Sequence, residues 1–413
     1  MTEKLAIDGG EPIRKEPFPS RAGSVGEEEL SQLTEVVKSG HLSRLGGAKT
    51  KEVEDRFASL LGQKHALAVT SGTAALHTAV GAINPEPGDE IIVPPLTDMG
   101  TVIGVIYQNA LPIFADVKPD GFHLDPQAVR QQITDRTRAI IVVHLWGAPA
   151  DMDEFLAISE EHGIPIIEDC AQAYLTTCGG RLAGTMGEVG CFSLQQSKHI
   201  TCGDGGLLVT DRDDLAERAR LFADKGWDRS ALDRGHLFVG LNYRITELQS
   251  AVALAQLSKI EHFIARRRAL ADLLSQQLAG LPGLYTPPDS ASGNTHWFYP
   301  LRLKEAEFGL SRDRFIAALN AEGVPAWVWL AGQPLYLFDA LRLRRAFGTS
   351  HHPFDSPYAS RRVEYGPGLC PNAEQVMREV VVLTVHELYT EQDIADMAAA
   401  IHKIARAARP STS

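Results

Sequence analysis

A single lysine stands where an apolar run gives way to a polar turn and then a glycine-rich stretch: Cys191-Phe-Ser-Leu-Gln-Gln-Ser-Lys198-His-Ile-Thr-Cys-Gly-Asp-Gly-Gly206. An amine held there away from water, or close to other cations, loses proton affinity and can attack a carbonyl. Gly203, Gly205 and Gly206 permit close backbone approach. Taken alone, the segment fits a solvated lysine in a flexible loop equally well. A second segment, Pro165-Ile-Ile-Glu168-Asp169-Cys-Ala-Gln172, is an apolar strand that ends in carboxylates. Open α/β sheets place ligands at the carboxyl ends of their strands. Asp169 there could pair with a protonated ring nitrogen, although a helix cap or a salt bridge is the commoner use of such a residue. The third segment is Val69-Thr70-Ser71-Gly72-Thr73-Ala74-Ala75-Leu76. Free N–H groups at a helix start, joined by the Ser71 and Thr73 hydroxyls, suit a phosphate. By itself this too is an ordinary Ser/Thr-capped helix.

The elements that would hold these groups follow from the hydrophobic pattern. Apolar runs at 65–69, 90–93, 111–115, 139–144, 165–169, 190–194 and 207–210 show little polar alternation, as in strands buried on both faces. Helical patterns at 73–83, 126–133 and 153–162 lie between them. That alternation predicts an α/β fold: a large domain built on a mostly parallel, seven-stranded sheet. A long helix follows over 245–278, ended by Leu281-Pro282-Gly283, and 287–294 reads as a linker. Strands at 297–303 and 380–383, with helices at 311–322 and 390–408, predict a smaller C-terminal α/β domain. The expected division is an N-terminal arm over 1–21, a large domain over 22–260 that includes the start of the long helix, and a small domain over 261–413.

Composition narrows the function. With 413 residues, 44% hydrophobic and 22% charged, the chain is neither disordered nor fibrous and can bury a core without staples. A net charge of −12 argues against a general nucleic-acid or membrane binder, yet leaves room for an anionic small substrate in a local pocket. The cysteines are Cys170, Cys178, Cys191, Cys202 and Cys370; five is an odd number, and no CxxC pair occurs. No disulfide framework and no metal site is expected, and the adjacent His351-His352 lacks a spaced partner. No apolar stretch follows Met1–Lys4 and no long apolar run occurs, so the expected location is a reducing cytoplasm.

Together the three segments resemble the fold-type I pyridoxal phosphate enzymes, and the finer text is similar to the DegT/DnrJ/EryC1/StrS sugar aminotransferases. The matching stretches are Ser71-Gly-Thr-Ala-Ala-Leu, Pro87-Gly-Asp-Glu-Ile-Ile-Val-Pro94, Phe114-Ala-Asp116, Val143-His-Leu-Trp-Gly147, Glu168-Asp-Cys-Ala-Gln172, Ser193 through Gly206, and Gly240-Leu-Asn-Tyr-Arg-Ile-Thr-Glu-Leu-Gln249. Leu5-Ala-Ile-Asp-Gly-Gly-Glu-Pro12 and Cys370-Pro371 add to the likeness. The resemblance implies pyridoxal 5′-phosphate as cofactor, with pyridoxamine 5′-phosphate between half-reactions. It further implies that Lys198 is the covalent attachment point and proton carrier, and that Asp169 keeps the pyridine nitrogen protonated. Gln172 would lie near the 3-hydroxyl or ring face, and Gly72, Thr73 and Ser193 would bind the phosphate. Asn242 would reach the cofactor phosphate of a neighbouring subunit, which makes the expected enzyme a homodimer. The expected reaction moves an amino group from glutamate or glutamine to a keto-sugar, nucleotide-linked in the first reading. A cyclitol ketone is the nearest alternative; a pyridoxal-dependent dehydratase or a cofactor-binding regulator are more distant ones. Dehydratase relatives replace the cofactor lysine by histidine, and the spacing puts Lys198, not His199, in that place.

One departure concerns Val93-Pro-Pro-Leu-Thr97-Asp98-Met99-Gly100. Family members carry a ring-stacking aromatic where this chain has Asp98. Met99 is one candidate to replace that contact, and Asp98 is a candidate to face the donor or sugar hydroxyls. Elsewhere His144 reads as a satisfied strand-end histidine, and Arg266-Arg267-Arg268 as a solvated helix face. Trp297-Phe-Tyr299 reads as small-domain core with His296 approaching substrate, and Tyr336 and His351-His352 as loop residues.

Overall fold

The computed structural model describes residues 4–119, 121–230 and 235–408. Residues 1–3 of the expected arm lie outside the described residues. The large sheet is made of β1 (His65–Val69), β2 (Glu90–Val93), β3 (Leu111–Phe114), β4 (Thr137–Val143) and β5 (Ile166–Asp169), followed by two later strands. A two-stranded hairpin, β6 (Thr177–Cys178) and β7 (Arg181–Leu182), separates β5 from those two, β8 (Val189–Ser193) and β9 (Gly206–Thr210). Seven strands run in the order β1-β9-β8-β5-β4-β2-β3. β9 pairs antiparallel with both β1 and β8, and the other neighbours pair parallel. The carboxyl ends of β1, β2, β4, β5 and β8 therefore gather along one edge. Buried Val and Ile on β2, β4 and β5 give the sheet its core.

Thr246 and Gln249 form a reciprocal capping box, which starts the long helix at Glu247 and carries it to Leu278. Its first half buries Leu257 and Ile260 with Phe57, Tyr174 and Phe192, and its second half buries Leu270 and Leu274 with Tyr299 and Leu301. A single rod of 32 residues thus joins two cores. The second sheet, β10 (Leu284–Tyr285), β11 (Tyr299–Leu303), β12 (Ala326–Trp327) and β13 (Val380–Leu383), is antiparallel in the order β10-β11-β13-β12. The helix Arg312–Ala321, capped by the Ser311 hydroxyl, and the helix Glu391–Ala408 pack on it.

The expected linker 287–294 is exposed at Pro288, Asp289, Ala291 and Ser292, and just beyond it Thr295 N–H donates to the Gly147 carbonyl at 2.9 Å. Two expectations change. The expected strand at 297 begins at Tyr299, because Trp297 N–H donates to the Trp146 carbonyl at 2.8 Å and so leaves the sheet ladder. Tyr336 is no loop residue. It is fully buried, with its hydroxyl donating to Glu374 at 2.7 Å and accepting from Cys370 N–H at 3.1 Å. The arm, unassigned from sequence, is pinned to the small sheet's layer by buried Glu322, whose carboxylate accepts from Ala6 N–H at 2.8 Å and Ile13 N–H at 3.0 Å.

At the end of β5, buried Glu168 accepts from the backbone N–H groups of Gly184, Met186 and Gly187 and from His144 Nε2 at 3.0 Å. His144 Nδ1 accepts from Ala150 N–H, so its proton sits on Nε2. His144, Glu168 and Cys170 lie close enough to share an ion, but the histidine nitrogens and Glu168 oxygens are already committed. These bonds hold the Glu168 carboxyl below the usual carboxylate range against the opposing effect of burial. Glu168→Ala leaves several buried donors without an acceptor and should destabilise the fold by about 3–5 kcal/mol. The urea midpoint should fall clearly for Glu168→Ala and less for Glu168→Gln, which keeps one acceptor oxygen.

Candidate active site

The gathered strand ends enclose a cavity of about 400 Å³. β1 leads into the helix Gly72–Ile83, whose Ser71 cap accepts from Ala74 N–H at 3.0 Å. The Ser71 hydroxyl is thus committed to the helix, while the first-turn N–H groups have no intrahelical partner. A Cβ on Gly72 would meet Ser193 Cβ at 2.7 Å, and one on Gly206 would meet the Ser71 carbonyl oxygen at 2.1 Å. Only glycines let β8 and β9 come this close to the helix start, and that closeness sets Ser193 beside Gly72 and Thr73 as an anion cradle.

From the end of β5, Asp169 enters the same cavity almost fully buried. Its Oδ2 accepts from Thr101 Oγ1 at 2.8 Å and its Oδ1 from Ala171 N–H at 3.0 Å. Thr97 Oγ1 lies 2.6 Å from Thr101 Oγ1 and extends the chain of hydroxyls. Burial outweighs these bonds and raises the Asp169 carboxyl above its ordinary value; Lys198 acts in the other direction. Gln172 Oε1 accepts from Trp146 N–H at 2.8 Å, which leaves its amide NH2 for the cavity.

Lys198 sits in the connection between β8 and β9. Burial pushes its ammonium down to about 8, against the pull of Asp169 and Asp98. Its Nζ lies 3.7 Å from the Trp297 ring centroid, a cation–π contact. The Trp297 indole Nε1 donates to the Ser197 carbonyl at 2.7 Å.

The fold thus brings Lys198, Asp169, Gly72, Thr73, Gln172 and Ser193 to one cavity. Asn242 stands apart from it on this chain, exposed on the segment that pairs with Asp224. Asp98 is exposed, lines the cavity and accepts from Gly100 N–H at 2.8 Å. Met99 lines a separate apolar cavity with Ile103 and Tyr243 and does not replace a stacking aromatic beside Lys198. His199 is buried outside the cavity, its Nε2 donating to the Thr295 carbonyl at 3.1 Å. His296 is likewise buried, with Nε2 3.2 Å from Ser290 Oγ, and does not reach the cavity. His352 bonds Asn109 and lies elsewhere. The arginine run is not a solvated face, because Arg267 is 1% exposed and pairs with Glu387 at 2.7 Å. Trp297 is core, though of the large domain's cluster, and also borders the cavity; Thr101, whose hydroxyl bonds Asp169, belongs to the site as well. The pattern of Thr97 and Thr101 four residues apart at a helix start was the available signal for the latter.

The sequence profile of the DegT/DnrJ/EryC1/StrS aminotransferase family matches residues 24–402. The chain belongs to this family. It is a pyridoxal phosphate-dependent aminotransferase. The chain is 36% identical to a Micromonospora echinospora protein provisionally named L-glutamine:3-amino-2,3-dideoxy-scyllo-inosose aminotransferase, over 98% of this chain and 97% of that one. It is 32% identical to the spore coat polysaccharide biosynthesis protein SpsC of Bacillus subtilis, over 93% and 96%. The crystal structure of DesI in the presence of its TDP-sugar product superposes with a TM-score of 0.81 at 29% identity, covering 97% of this chain and 96% of that one. The residues present fit the cofactor: an anion cradle that a Cβ would fill, a desolvated amine, and a buried carboxylate share one cavity.

If Lys198 is the residue that attacks the cofactor aldehyde, it must first shed its proton, and the rate at which cofactor-free protein takes up pyridoxal phosphate should rise as pH is raised through about 8. Asp98→Asn removes a carboxylate that favours the ammonium, so the midpoint should move to lower pH. Stopped-flow absorbance across a pH series measures both; a flat profile, or a midpoint displaced upward, contradicts the assignment.

Proposed function

We propose that this enzyme transfers an amino group from glutamate or glutamine to the ketone of a polyhydroxylated ring, a keto-sugar or keto-cyclitol. The observation that carries the reading is the convergence of the desolvated Lys198 amine, buried Asp169 and the Gly72–Thr73–Ser193 cradle in one cavity. When bound, pyridoxal phosphate supplies an electron sink for the carbon that gains or loses the amine. Lys198 Nζ tethers the cofactor and moves the proton on and off the substrate carbon. Asp169 holds the proton on the ring nitrogen, and the Thr101 hydroxyl and Ala171 N–H keep its carboxylate aimed. The N–H groups of Gly72 and Thr73 and the Ser193 hydroxyl bind the phosphate, while Gln172 orients the ring through its free amide. A dehydratase fits less well, since Lys198 lines the cavity and His199 is turned to the Thr295 carbonyl.

The working unit in this proposal is a homodimer. Leu237 and Leu241 near Asn242 are exposed, Val239 is 95% exposed, and exposed Leu45 and Trp227 line one neighbouring cavity. A patch of this kind favours burial against a second copy, where Asn242 would reach the other cofactor phosphate. The five free cysteines suit a reducing cytoplasm.

Between the two acceptors, the acidic residues Asp98 and Asp204 both border the cavity, a charge that disfavours a pyrophosphate and favours a cyclitol ketone. The full-length similarity to the Micromonospora protein, whose name gives an amino-substituted inosose and glutamine, supports the same choice. To test this, the enzyme is loaded with pyridoxamine phosphate and offered keto-cyclitols, amino-substituted keto-cyclitols and nucleotide-linked keto-sugars, and return of the visible cofactor absorbance is followed. The cyclitol ketones should react fastest, and Lys198→Ala should lose turnover by roughly a thousandfold or more. A variant that turns over normally, or a wild-type enzyme that accepts none of the rings, contradicts the reading.

A further inference from the structure

We infer that Arg21, from the N-terminal arm, is a positioning residue for Lys198: its guanidinium fixes the turn that carries the reactive amine. The inference rests on the reading of Lys198 as the cofactor's attachment point. Arg21 lies 177 residues before the lysine, yet its Nη1 donates to the Lys198 carbonyl at 2.6 Å and to the Gln196 carbonyl at 3.5 Å. Its Nη2 donates to the His199 carbonyl at 3.0 Å. The Ser197 carbonyl between them is taken by the Trp297 indole at 2.7 Å. The carbonyls of residues 196 to 199 are thus all held from outside the turn, by one arginine and one tryptophan.

The arginine is itself anchored. Its Nε pairs with Glu387 Oε1 at 3.0 Å, and Glu387 Oε2 accepts from Arg267 Nε at 2.7 Å. Arg267 Nη1 then donates to the carbonyls of His296 and Trp297, both at 3.2 Å. One buried carboxylate therefore ties together the two arginines that grip the lysine turn and the tryptophan under the lysine amine. Within the turn itself Lys198 N–H donates to the Gln195 carbonyl at 2.9 Å, and Arg21 adds the hold from outside. An amine that is alternately tethered and free must return to the same carbon each time, and small displacements of a reacting group lower rates steeply. A planar fork with several donors can hold three carbonyls and a carboxylate at once; a lysine at the same place brings charge without the fork.

The test uses full-length, cofactor-loaded protein and the variants Arg21→Ala and Arg21→Lys. Each is followed by circular dichroism, by the donor half-reaction, by the pH titration of the visible cofactor absorbance, and by hydrogen exchange of the 195–199 backbone without cofactor. Arg21→Ala should keep its fold and bound cofactor but lose about 10- to 100-fold in kcat, while KM for the donor moves less than about threefold. Its titration midpoint should shift, and exchange in the turn should quicken. Arg21→Lys should fall between it and wild type, and added guanidinium should restore part of the Arg21→Ala rate. Folded variants with wild-type kcat, midpoint and exchange overturn the proposal. Loss of fold in both overturns it as well, by assigning Arg21 to stability alone; if only Arg21→Ala unfolds, Arg21→Lys decides. A wild-type protein that neither binds pyridoxal phosphate nor reacts with a donor marks instead the failure of the underlying reading.

Discussion

Asp169 is buried and Lys198 half-buried where water would otherwise stabilise their charge, and each is a counter-charge for the other. The rest of the site depends on that shared desolvation. A lysine in water stays protonated near neutral pH and is a poor nucleophile; in this cavity its proton is held loosely enough to leave. The opposing carboxylate sets the limit, since it favours the charged form of the amine. The Thr101 hydroxyl and Ala171 N–H each hold one oxygen of the Asp169 carboxylate in place.

Such dryness requires a large sheet with its polar ends pointing one way. The parallel run of strands supplies it, and the single reversed strand closes the gap between β1 and β8 without taking the carboxyl ends out of line. Close approach at Gly72 and Gly206 then turns a helix start and a strand end into one cradle. Packing and chemistry are here the same requirement: a methyl group at either glycine would disturb both.

The parts of this arrangement that are local in sequence could be read from it. Uninterrupted apolar runs gave away the buried strands, and the lysine, the carboxylate and the Ser-Gly-Thr turn stand where strands end. Asn242 is a different case, since a single chain holds it away from the cavity. What could not be read depends on distance along the chain. Arg267 looks like one of three charged helix residues, and only the junction of two cores shows why it is buried. Trp297 reads as core and is core, and only the fold shows that its ring also lies against the lysine amine. Asp98 was visible as a departure, but its role depends on what else borders the cavity.

β8 and β9 pair Ser193 with Gly206, and Leu194 N–H bonds to the Gly205 carbonyl, so the reactive amine rides on the tip of a closed stem. The stem's register owes nothing to the side chain at position 198. Evolution can therefore exchange the instrument mounted there while leaving the mounting untouched, which lets one architecture drift between reactions by small edits at a single tip.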